Sequence, residues 1–502
     1  MIWIKHNNTK GKFMKITVRI LSLLLSLLVL AGVLISCGED DGDSKDTGNS
    51  VSTGDLTAEL DVGREDNGGK DIRILYNKNT ATYDVFKELS TDSVGSAMFS
   101  RDMTVEDHLG INLDYYIEDG SWNQRQEFNQ KIQASAQAGA EYDYDIVFAH
   151  PSCSLVNNAS MNCFKNMYDY SDIISFDKVW WLTGMDDYAI NNTLFCVFGD
   201  ATLSTYNQMA VVYFNQQILA NEGLTSPYEL VRNNQWTYER LFADALKISG
   251  DLDGDGQISY LTDIVGYVQA STPARGWLSS LELDLVQKNS DGTLTVGESA
   301  PEKLIDVYDK LYAFFSNNNN IVSGSGDELQ ATFTDGRCLY LLSTLADIDY
   351  FSFGAMEDDW GIIPMPKYST EQNDYITPVG TSVAMMAIMN NVSDGELCAK
   401  VLECMSYFAN KMVVDEYYVK TLGERRARDE NVAGMLDIIR KGSKLTFVAV
   451  YQDSFTTPIY NLLQMDEKWR NEKVGASVAS YWRSNYRSWR GNLTELQQLG
   501  KG

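Results

Sequence analysis

The stretch INLDYYIEDGSWNQRQEFNQKIQASAQAGAEYDYDIVFAH (Ile111–His150) decides the fold class. Its two apolar ends, Ile111–Asp119 and Tyr144–His150, are predicted strands of a sheet. Between them, Gln124–Gly139 carries apolar residues at helical spacing, which predicts an amphipathic helix. Strands that alternate with helices are typical of α/β layers with a largely parallel sheet.

The same alternation extends in both directions along the chain. A strand is predicted at Asp71–Asn77, followed by a helix around Tyr83–Leu89. Further strands are predicted within Gln208–Leu219, Asp263–Ala270, Gly361–Pro366 and Thr381–Met389, and further helices at Thr237–Ile248 (with Thr237 as N-cap), Pro301–Phe315, Gly395–Phe408 and Ala433–Gly442. The whole chain beyond residue 70 therefore reads as an α/β protein.

Residues 1–36 have the pattern of an export signal. A basic region without acidic residues precedes an apolar run from Ile20 to Ile35. Leu34 at position −3, a small residue at −1 and Cys37 at +1 resemble a bacterial lipobox, in which Cys37 becomes the lipidated N-terminus. The run is also near the lower length limit of a spanning helix, so a simple signal anchor is the alternative.

Residues 37–69 are predicted to be the lipidated cysteine and an acidic, flexible linker. Between Gly38 and Thr57 there are six acidic residues, one lysine and mostly small polar residues, too little apolar surface for a core. From Cys37 onward the chain has 36 basic residues against 69 acidic ones, a formal net charge of −33. Such a charge repels phosphate backbones and argues against nucleic acid as a partner.

The segment DLDGDGQIS resembles a calcium loop. Ca²⁺ prefers six to eight hard oxygen ligands, and acidic residues at alternate positions of a tight turn converge on one point. The predicted ligands are Asp251, Asp253, Asp255, the Gln257 carbonyl, Ser259 and Asp263. Position 12 is Thr262 instead of the usual Glu, with Asp263 beside it. A structural Ca²⁺ is therefore the prediction, and a polar turn without metal is the alternative.

Several stretches together resemble extracellular solute-binding proteins of family 1, the binding subunits of bacterial ABC importers, mostly for sugars and oligosaccharides. The resemblance covers roughly residues 70–450 and depends on the joint order of short motifs, with the lipobox in front. The motifs are YDIVFAH, FDKVWWL (Phe176–Leu182), MAVVYFNQQIL (Met209–Leu219), SPYELVRNNQWTYERL (Ser226–Leu241), DLDGDGQI, GRCLYLL (Gly336–Leu342), MEDDWGIIPMPKYSTEQNDYIT (Met356–Thr377) and RRARDENVAGMLDII (Arg425–Ile439).

This resemblance implies a two-lobe α/β fold of the periplasmic-binding-protein (Venus flytrap) type, with a hinge between the lobes. The chain would cross between lobes three times, near residues 200, 376 and 411. The expected N-lobe comprises 70–200 and 376–410, and the expected C-lobe 201–375 and 411–502. The implied protein is a monomeric receptor, lipid-anchored at the extracellular face of the bacterial cytoplasmic membrane, that passes a carbohydrate to ABC permease subunits.

Most candidate ligand contacts are polar and aromatic side chains that follow strand ends, where open α/β sheets bind ligands. Asp200, Tyr206 and Asn207 instead precede the strand that should enter the C-lobe, and Trp181 belongs to a tryptophan pair that the family often shows. Aromatic faces stack on sugar rings, and planar polar groups bond their hydroxyls. The expected contacts are Asn77, Asn79, His150, Trp181, Asp200, Tyr206, Asn207, Gln269, Ser271 and Trp277. Turn chemistry or core packing is the alternative for each of them.

An enzyme is the less favoured reading of the sequence. Beyond the signal there are two histidines, His108 and His150, too few for most metal centres and triads. A glycosidase needs only two carboxylates, so a surface glycan-degrading lipoprotein is one alternative. A glycan adhesin that does not serve a transporter is another. Whether Cys153 and Cys163, or other cysteines, form disulfides is left open by their spacing.

Overall fold

A computed structural model describes residues 58–324, 327–350, 356–417, 429–452 and 457–501. Residues 1–57, which hold the predicted export signal, Cys37 and the first part of the predicted linker, lie outside these residues, as do Arg425–Arg428 of the last motif. Residues 58–69 of the predicted linker are described and contact the rest of the chain, since Val62 is buried and Glu65 pairs with Lys400. Of the helices that the structure describes, none has the length and apolar character needed to span a bilayer.

The strands are short, as is usual in α/β proteins. In chain order they are β1 (Lys70–Asn77), β2 (Ile111–Glu118), β3 (Ile146–Ala149), β4 (Ala210–Asn215), β5 (Ser249–Gly250), β6 (Ile264–Ala270), β7 (Gln287–Lys288), β8 (Leu294–Thr295), β9 (Ile321–Gly324), β10 (Cys338–Thr344), β11 (Trp360–Pro364), β12 (Thr377–Pro378), β13 (Met385–Ile388) and β14 (Ser443–Lys444).

Helices separate most of these strands. They are α1 (Lys78–Asp84), α2 (Ser93–Leu109), α3 (Arg125–Gln137), α4 (Pro151–Ser160), α5 (Ser204–Asn207), α6 (Gln216–Asn221), α7 (Pro227–Arg232), α8 (Tyr238–Ala245), α9 (Ser271–Ala274), α10 (Trp277–Ser280), α11 (Glu302–Ser316), α12 (Asp327–Thr334), α13 (Asp347–Tyr350), α14 (Gly395–Ala409), α15 (Asn431–Lys441), α16 (Phe447–Val450), α17 (Thr457–Tyr460) and α18 (Val478–Leu496). Short 3₁₀ turns lie at Gly139–Glu141, Met167–Tyr170 and Met185–Tyr188, and a π-helical turn at Trp469–Val474.

The first sheet has the strand order β13-β3-β1-β2. β1 lies between β2 and β3 and runs parallel to both, with Ile74 opposite Tyr115 on one side and Ile146 on the other. β13 pairs antiparallel with β3. All four residues of β3 are buried, which requires cover on both faces of the sheet, as expected for α/β layers.

The second sheet has the order β11-β4-β10-β6-β5, with β9 also paired to β6. β10, β6 and β9 are parallel, whereas β4 runs antiparallel to both of its neighbours. The two sheets thus contain more antiparallel pairing than the sequence predicts. β4 follows strands of the first sheet in the chain, and β13 follows strands of the second sheet. Each of them therefore enters its sheet from the other one, and not through the long crossover connection that parallel neighbours need.

Residues 70–149 and 385–388 build the first sheet, and strands between 210 and 364 build the second. Outside both sheets, β12 pairs with β14, and Met209 forms an isolated bridge with Val379. Three distant parts of the chain therefore meet between the sheets. The exact lobe boundaries given above stay a prediction.

Most predicted elements are confirmed within a few residues. Thr237 caps α8 through its side chain, which accepts a hydrogen bond from the Arg240 backbone N–H. The helix predicted around Tyr83–Leu89 is wrong in its extent, because α1 ends at Asp84. Val85 is extended (φ −121°, ψ 113°), and Val85 and Phe86 pack against the core without being helical, whereas Leu89 is 56% exposed.

The cysteines are part of the core. Cys153, Cys163, Cys196, Cys338, Cys398 and Cys404 are all buried, and no disulfide joins any two of these six. Burial raises the pKa of the Cys163 thiol to about 11, which keeps it protonated and unreactive at neutral pH.

Candidate functional site

The carboxyl ends of β1 and β2 are joined by a buried amide. Asn77 ends β1, and its Nδ2 atom donates a 2.9 Å hydrogen bond to the Gly120 carbonyl just after β2. Its Oδ1 atom accepts from the backbone N–H of Asn79, which caps α1. Asn77 therefore organises the sheet edge from inside the fold, whereas Asn79 is exposed at that edge.

Exposed aromatic side chains lie along the same edge. Trp122, in the turn after β2, is 55% exposed, and the Arg125 guanidinium stacks on its ring with 3.9 Å between carbon Cζ and the centroid. Tyr83, on α1 directly after β1, is 51% exposed. Large rings kept in solvent beside planar cationic and amide groups are the chemistry that carbohydrate recognition needs.

At the corresponding edge of the second sheet, Gln269 is fully buried in a saturated network. Its Oε1 atom accepts from the Tyr267 hydroxyl and the Trp277 indole, each at 3.0 Å. Its Nε2 atom donates to Ser323 Oγ at 2.9 Å and to the Gln464 carbonyl at 2.8 Å. All four positions of the amide are thus paired within the protein.

Two neighbours of this network complete the edge. Trp277 is completely buried. The Ser271 hydroxyl donates a 2.7 Å hydrogen bond to the Gly324 carbonyl, which links the ends of β6 and β9. Arg275 is half-buried, with its guanidinium near Gln464 and 5.8 Å from the Tyr460 ring centroid. Arg275 is thus the charged residue at this edge, and its side chain is partly exposed to solvent.

The segment Asp200–Met209, which leads from the first sheet into the second, contacts elements at the carboxyl-end edges of both sheets. From the first sheet's side, the Asp84 carboxylate accepts from the Leu203 N–H at 2.7 Å, and Ser204 Oγ accepts from the Ala384 N–H at 3.0 Å. From the second, the Ala346 N–H donates to the Asn207 carbonyl at 3.2 Å. Both sheet edges thus border one connecting segment.

Asp200, at the start of this segment, holds several distant parts of the chain together. Its buried carboxylate accepts hydrogen bonds from the Tyr206 hydroxyl, from Asn410 Nδ2 at 2.7 Å and from the Arg440 guanidinium at 3.2 Å. Burial raises the pKa of Asp200, and the positive charge of Arg440 opposes that rise. Close by in sequence, Asn207 Oδ1 accepts from the Tyr417 hydroxyl at 2.6 Å.

His150 and Trp181 are engaged within the first sheet's surroundings. His150 Nδ1 lies 3.2 Å from the Val383 carbonyl, and burial lowers the pKa of the imidazole. The indoles of Trp180 and Trp181 each donate to one carboxylate oxygen of Glu403, at 3.0 and 2.9 Å. Burial raises the pKa of Glu403 to about 7, although the two indoles act in the opposite direction.

Part of the acidic loop converges on one point. Carboxylate oxygens of Asp251, Asp253 and Asp263 lie within 4.8 Å of one another. Asp255 is outside this group, and its carboxylate accepts from the Gln257 N–H at 2.7 Å. Asp263, one residue past the usual terminal position, is buried and accepts from the Leu252 and Ser259 N–H groups, each at 2.8 Å.

The structure thus brings Asp200, Tyr206 and Asn207 together, and places Gln269, Ser271 and Trp277 in a separate cluster. Sequence reasoning missed Trp122, Tyr83, Asn410 and Arg440. Trp122 and Tyr83 did follow predicted strands, so the rule of strand ends could have selected them. Nothing in the sequence pairs Asn410 or Arg440 with Asp200, because those contacts connect residues more than 200 positions apart.

The sequence matches no family model, and no curated protein matches it. The structure is similar to solved structures. A cyclo/maltodextrin-binding protein complexed with maltotetraose has a TM-score of 0.53 and 13% identity, over 86% of this chain and 99% of the other. An extracellular solute-binding protein from Staphylococcus aureus in complex with maltose has a TM-score of 0.53 and 10% identity, over 85% and 97%.

A third similar structure is UgpB from Mycobacterium tuberculosis in complex with glycerophosphocholine, with a TM-score of 0.51 and 14% identity, over 86% of this chain and 99% of the other. At such identities the likeness establishes the fold. The chain has the two-lobe α/β fold of extracellular solute-binding proteins, as its motifs predict.

Proposed function

We propose that the chain is a solute-binding receptor of an ABC importer that captures a carbohydrate between its two lobes and delivers it to permease subunits. The observation that supports this most is the exposed Trp122 and Tyr83 at the carboxyl-end edge of the first sheet. Asp84, next to Tyr83, contacts the segment that both sheets border. Similar structures hold maltotetraose and maltose. The expected solute is therefore an oligosaccharide, bound intact and not hydrolysed.

Thermal unfolding of the exported chain from Gly38 onward, against a panel of mono- and oligosaccharides, tests this proposal. A ligand that binds only the native state stabilises it by about 2.7 kcal/mol at 100 times its Kd. Trp122→Ala should reduce the shift because it removes a stacking surface. Leu246→Ala, which shortens an exposed apolar side chain at the end of α8, outside this edge, should leave it unchanged.

The outcome also separates the alternatives. A sugar that stabilises the protein and is recovered intact supports a receptor. Cleavage of an oligosaccharide would instead favour a glycan-degrading enzyme. Binding to long polymers without binding to short oligosaccharides would favour an adhesin, because a closed two-lobe site admits only short ligands.

The proposed receptor is tethered to the extracellular face of the cytoplasmic membrane through a lipidated Cys37. The lipobox-like order Leu34 to Cys37 supports this, and tethering raises the receptor's effective concentration near its permease. In a bacterial host, Cys37→Ser should prevent incorporation of labelled fatty acid. Incorporation that persists in Cys37→Ser would contradict the assignment of this residue.

We also propose that the loop Asp251–Asp263 holds a structural Ca²⁺. The converging oxygens of Asp251, Asp253 and Asp263 fit a hard divalent cation. The missing Glu at position 12 is replaced by Asp263, which is fixed by backbone hydrogen bonds from Leu252 and Ser259. A chelator should lower the unfolding temperature, and Ca²⁺ should restore it.

A further inference from the structure

The C-terminal helix α18 presents a row of arginines on a strongly acidic protein. Arg483, Arg487 and Arg490 follow each other at spacings of four and three residues, which places them on one helix face. All three are exposed, and none forms an ion pair with a residue that the structure describes. From residue 468 to the end, the sequence has seven basic residues and two acidic ones.

The orientation of this face is fixed by the core. Trp482 and Trp489 are buried on the opposite side of α18, with ring centroids 5.0 Å apart. The Trp482 indole donates a 2.9 Å hydrogen bond to the Gly297 carbonyl, and Gln497 Nε2 donates to the Leu294 carbonyl at 2.9 Å. The arginines therefore point into solvent on a rigid element and do not depend on a loop for their position.

A concavity of about 520 Å³ lies beside two of the three arginines, Arg487 and Arg490. It is lined by Glu298, Tyr486, Arg487, Arg490, Gly491 and Thr494. Glu298 is a single acidic group against two guanidinium groups, so the lining stays positive. Guanidinium forks bind phosphate oxygens in a bidentate manner. The Thr494 hydroxyl in the same lining donates to the Arg490 carbonyl at 2.9 Å.

We propose that this arginine face of α18 docks on anionic phospholipid headgroups of the membrane to which the protein is tethered. The inference rests on the lipid anchor of the proposed function, since that anchor keeps the domain within reach of a bilayer. Each Arg near an anionic surface contributes attraction that decays within a Debye length. The rest of the chain has a net negative charge and is repelled by anionic headgroups, so the arginine face sets the orientation of the receptor.

Vesicle flotation tests the proposal with the unlipidated chain from Gly38, which contains every residue that the structure describes. Vesicles of phosphatidylcholine with increasing phosphatidylglycerol should bind the protein increasingly, and phosphatidylcholine alone should not. The triple variant Arg483→Gln, Arg487→Gln, Arg490→Gln should bind at least about tenfold more weakly. Added salt should weaken the wild type more than the triple variant.

A matched control removes the same net charge elsewhere. Arg64→Gln, Lys247→Gln and Lys441→Gln together neutralise three exposed basic side chains outside α18 and should leave vesicle binding unchanged. Equal loss in both triple variants, or binding that ignores phosphatidylglycerol content, would overturn the proposal. Carbohydrate binding is read separately by thermal unfolding, so a failure of the receptor function would not be mistaken for a failure of membrane docking.

Discussion

Arg440 Nη2 lies 3.2 Å from Asp200 Oδ2, and both side chains are nearly enclosed. Asp200 precedes the segment that leads into the second sheet, and Arg440 lies in the last turn of α15. The same carboxylate also accepts from Asn410 at the end of α14. One buried carboxylate thus connects three distant parts of the chain where a hinge is predicted.

Removing either partner of this pair should be strongly destabilising. Arg440→Gln leaves a buried carboxylate without its counter-charge, and we expect the free energy of unfolding to fall by about 3–5 kcal/mol. Denaturant unfolding measures this directly. The double variant with Asp200→Asn should lose less than the sum of the two single variants, because they share one interaction.

The neighbouring pair Lys441–Asp437 provides the control. Its lysine is 65% exposed, and the pair spans one helical turn at 2.7 Å. Lys441→Gln should change the free energy of unfolding by no more than about 0.5 kcal/mol. Similar losses in the free energy of unfolding for Lys441→Gln and Arg440→Gln would contradict a larger contribution from the buried Asp200 pair.

Glu403 should make stability depend on pH. Burial raises its pKa from the model-compound range to about 7, so the folded state holds a proton that the unfolded state releases near pH 4.5. Stability from this group is therefore complete below pH 4.5 and is lost as the pH rises towards 7. In Glu403→Gln this loss should disappear, and the slope should differ from wild type by up to about 1.4 kcal/mol per pH unit.

Denaturant unfolding at several values between pH 5 and 7 checks this expectation. Glu396→Gln, an exposed carboxylate at the start of the same helix, should keep the wild-type slope. Parallel pH profiles for wild type and Glu403→Gln would mean that Glu403 stays ionised beside the two indoles.

Trp277→Phe separates a structural role from ligand contact. The change keeps an aromatic ring but removes the indole N–H that donates to Gln269 Oε1. We expect a loss of about 1–2 kcal/mol in the free energy of unfolding, because a buried acceptor loses one partner. The sequence predicts ligand contact for Trp277, so carbohydrate affinity in this variant is the second measurement. An unchanged Kd would contradict that contact.

The acidic loop allows a sharp comparison of two aspartates. Asp253 belongs to the converging group, whereas Asp255 lies outside it, and each of the two carboxylates accepts from one backbone N–H. Asp253→Asn should therefore abolish most of the Ca²⁺-dependent rise in unfolding temperature, and Asp255→Asn should retain it. Equal effects would favour the spacing of the sequence motif over the observed geometry.

Local patterns predicted the helices and strands well because the apolar run of a buried strand and the cap of a helix depend on residues that are close in sequence. β3 is an uninterrupted apolar run, β4 is apolar up to its last residue, Asn215, and Thr237 caps α8 as its sequence position indicates. The end of α1 could not be read in this way, since Val85 and Phe86 continue the apolar pattern and pack against the core, but in a non-helical conformation.

The candidate site was harder to predict because it is made by contacts between distant residues. The position of Asp200, Tyr206 and Asn207 before the strand that enters the second sheet indicated them as a group, but their partners Asn410, Tyr417 and Arg440 come from other elements. Gln269 looked available for a ligand, yet four groups from four segments saturate its amide. No spacing rule reveals such saturation.

Small-angle X-ray scattering of the chain from Gly38 onward, with and without a saturating oligosaccharide that stabilises it, tests the central claim most directly. The proposed receptor should show a smaller radius of gyration when ligand is bound, because the two lobes close on it, and the oligosaccharide should be recovered intact. An unchanged radius of gyration at saturation, or recovery of cleaved sugar, would contradict capture of a carbohydrate between two closing lobes.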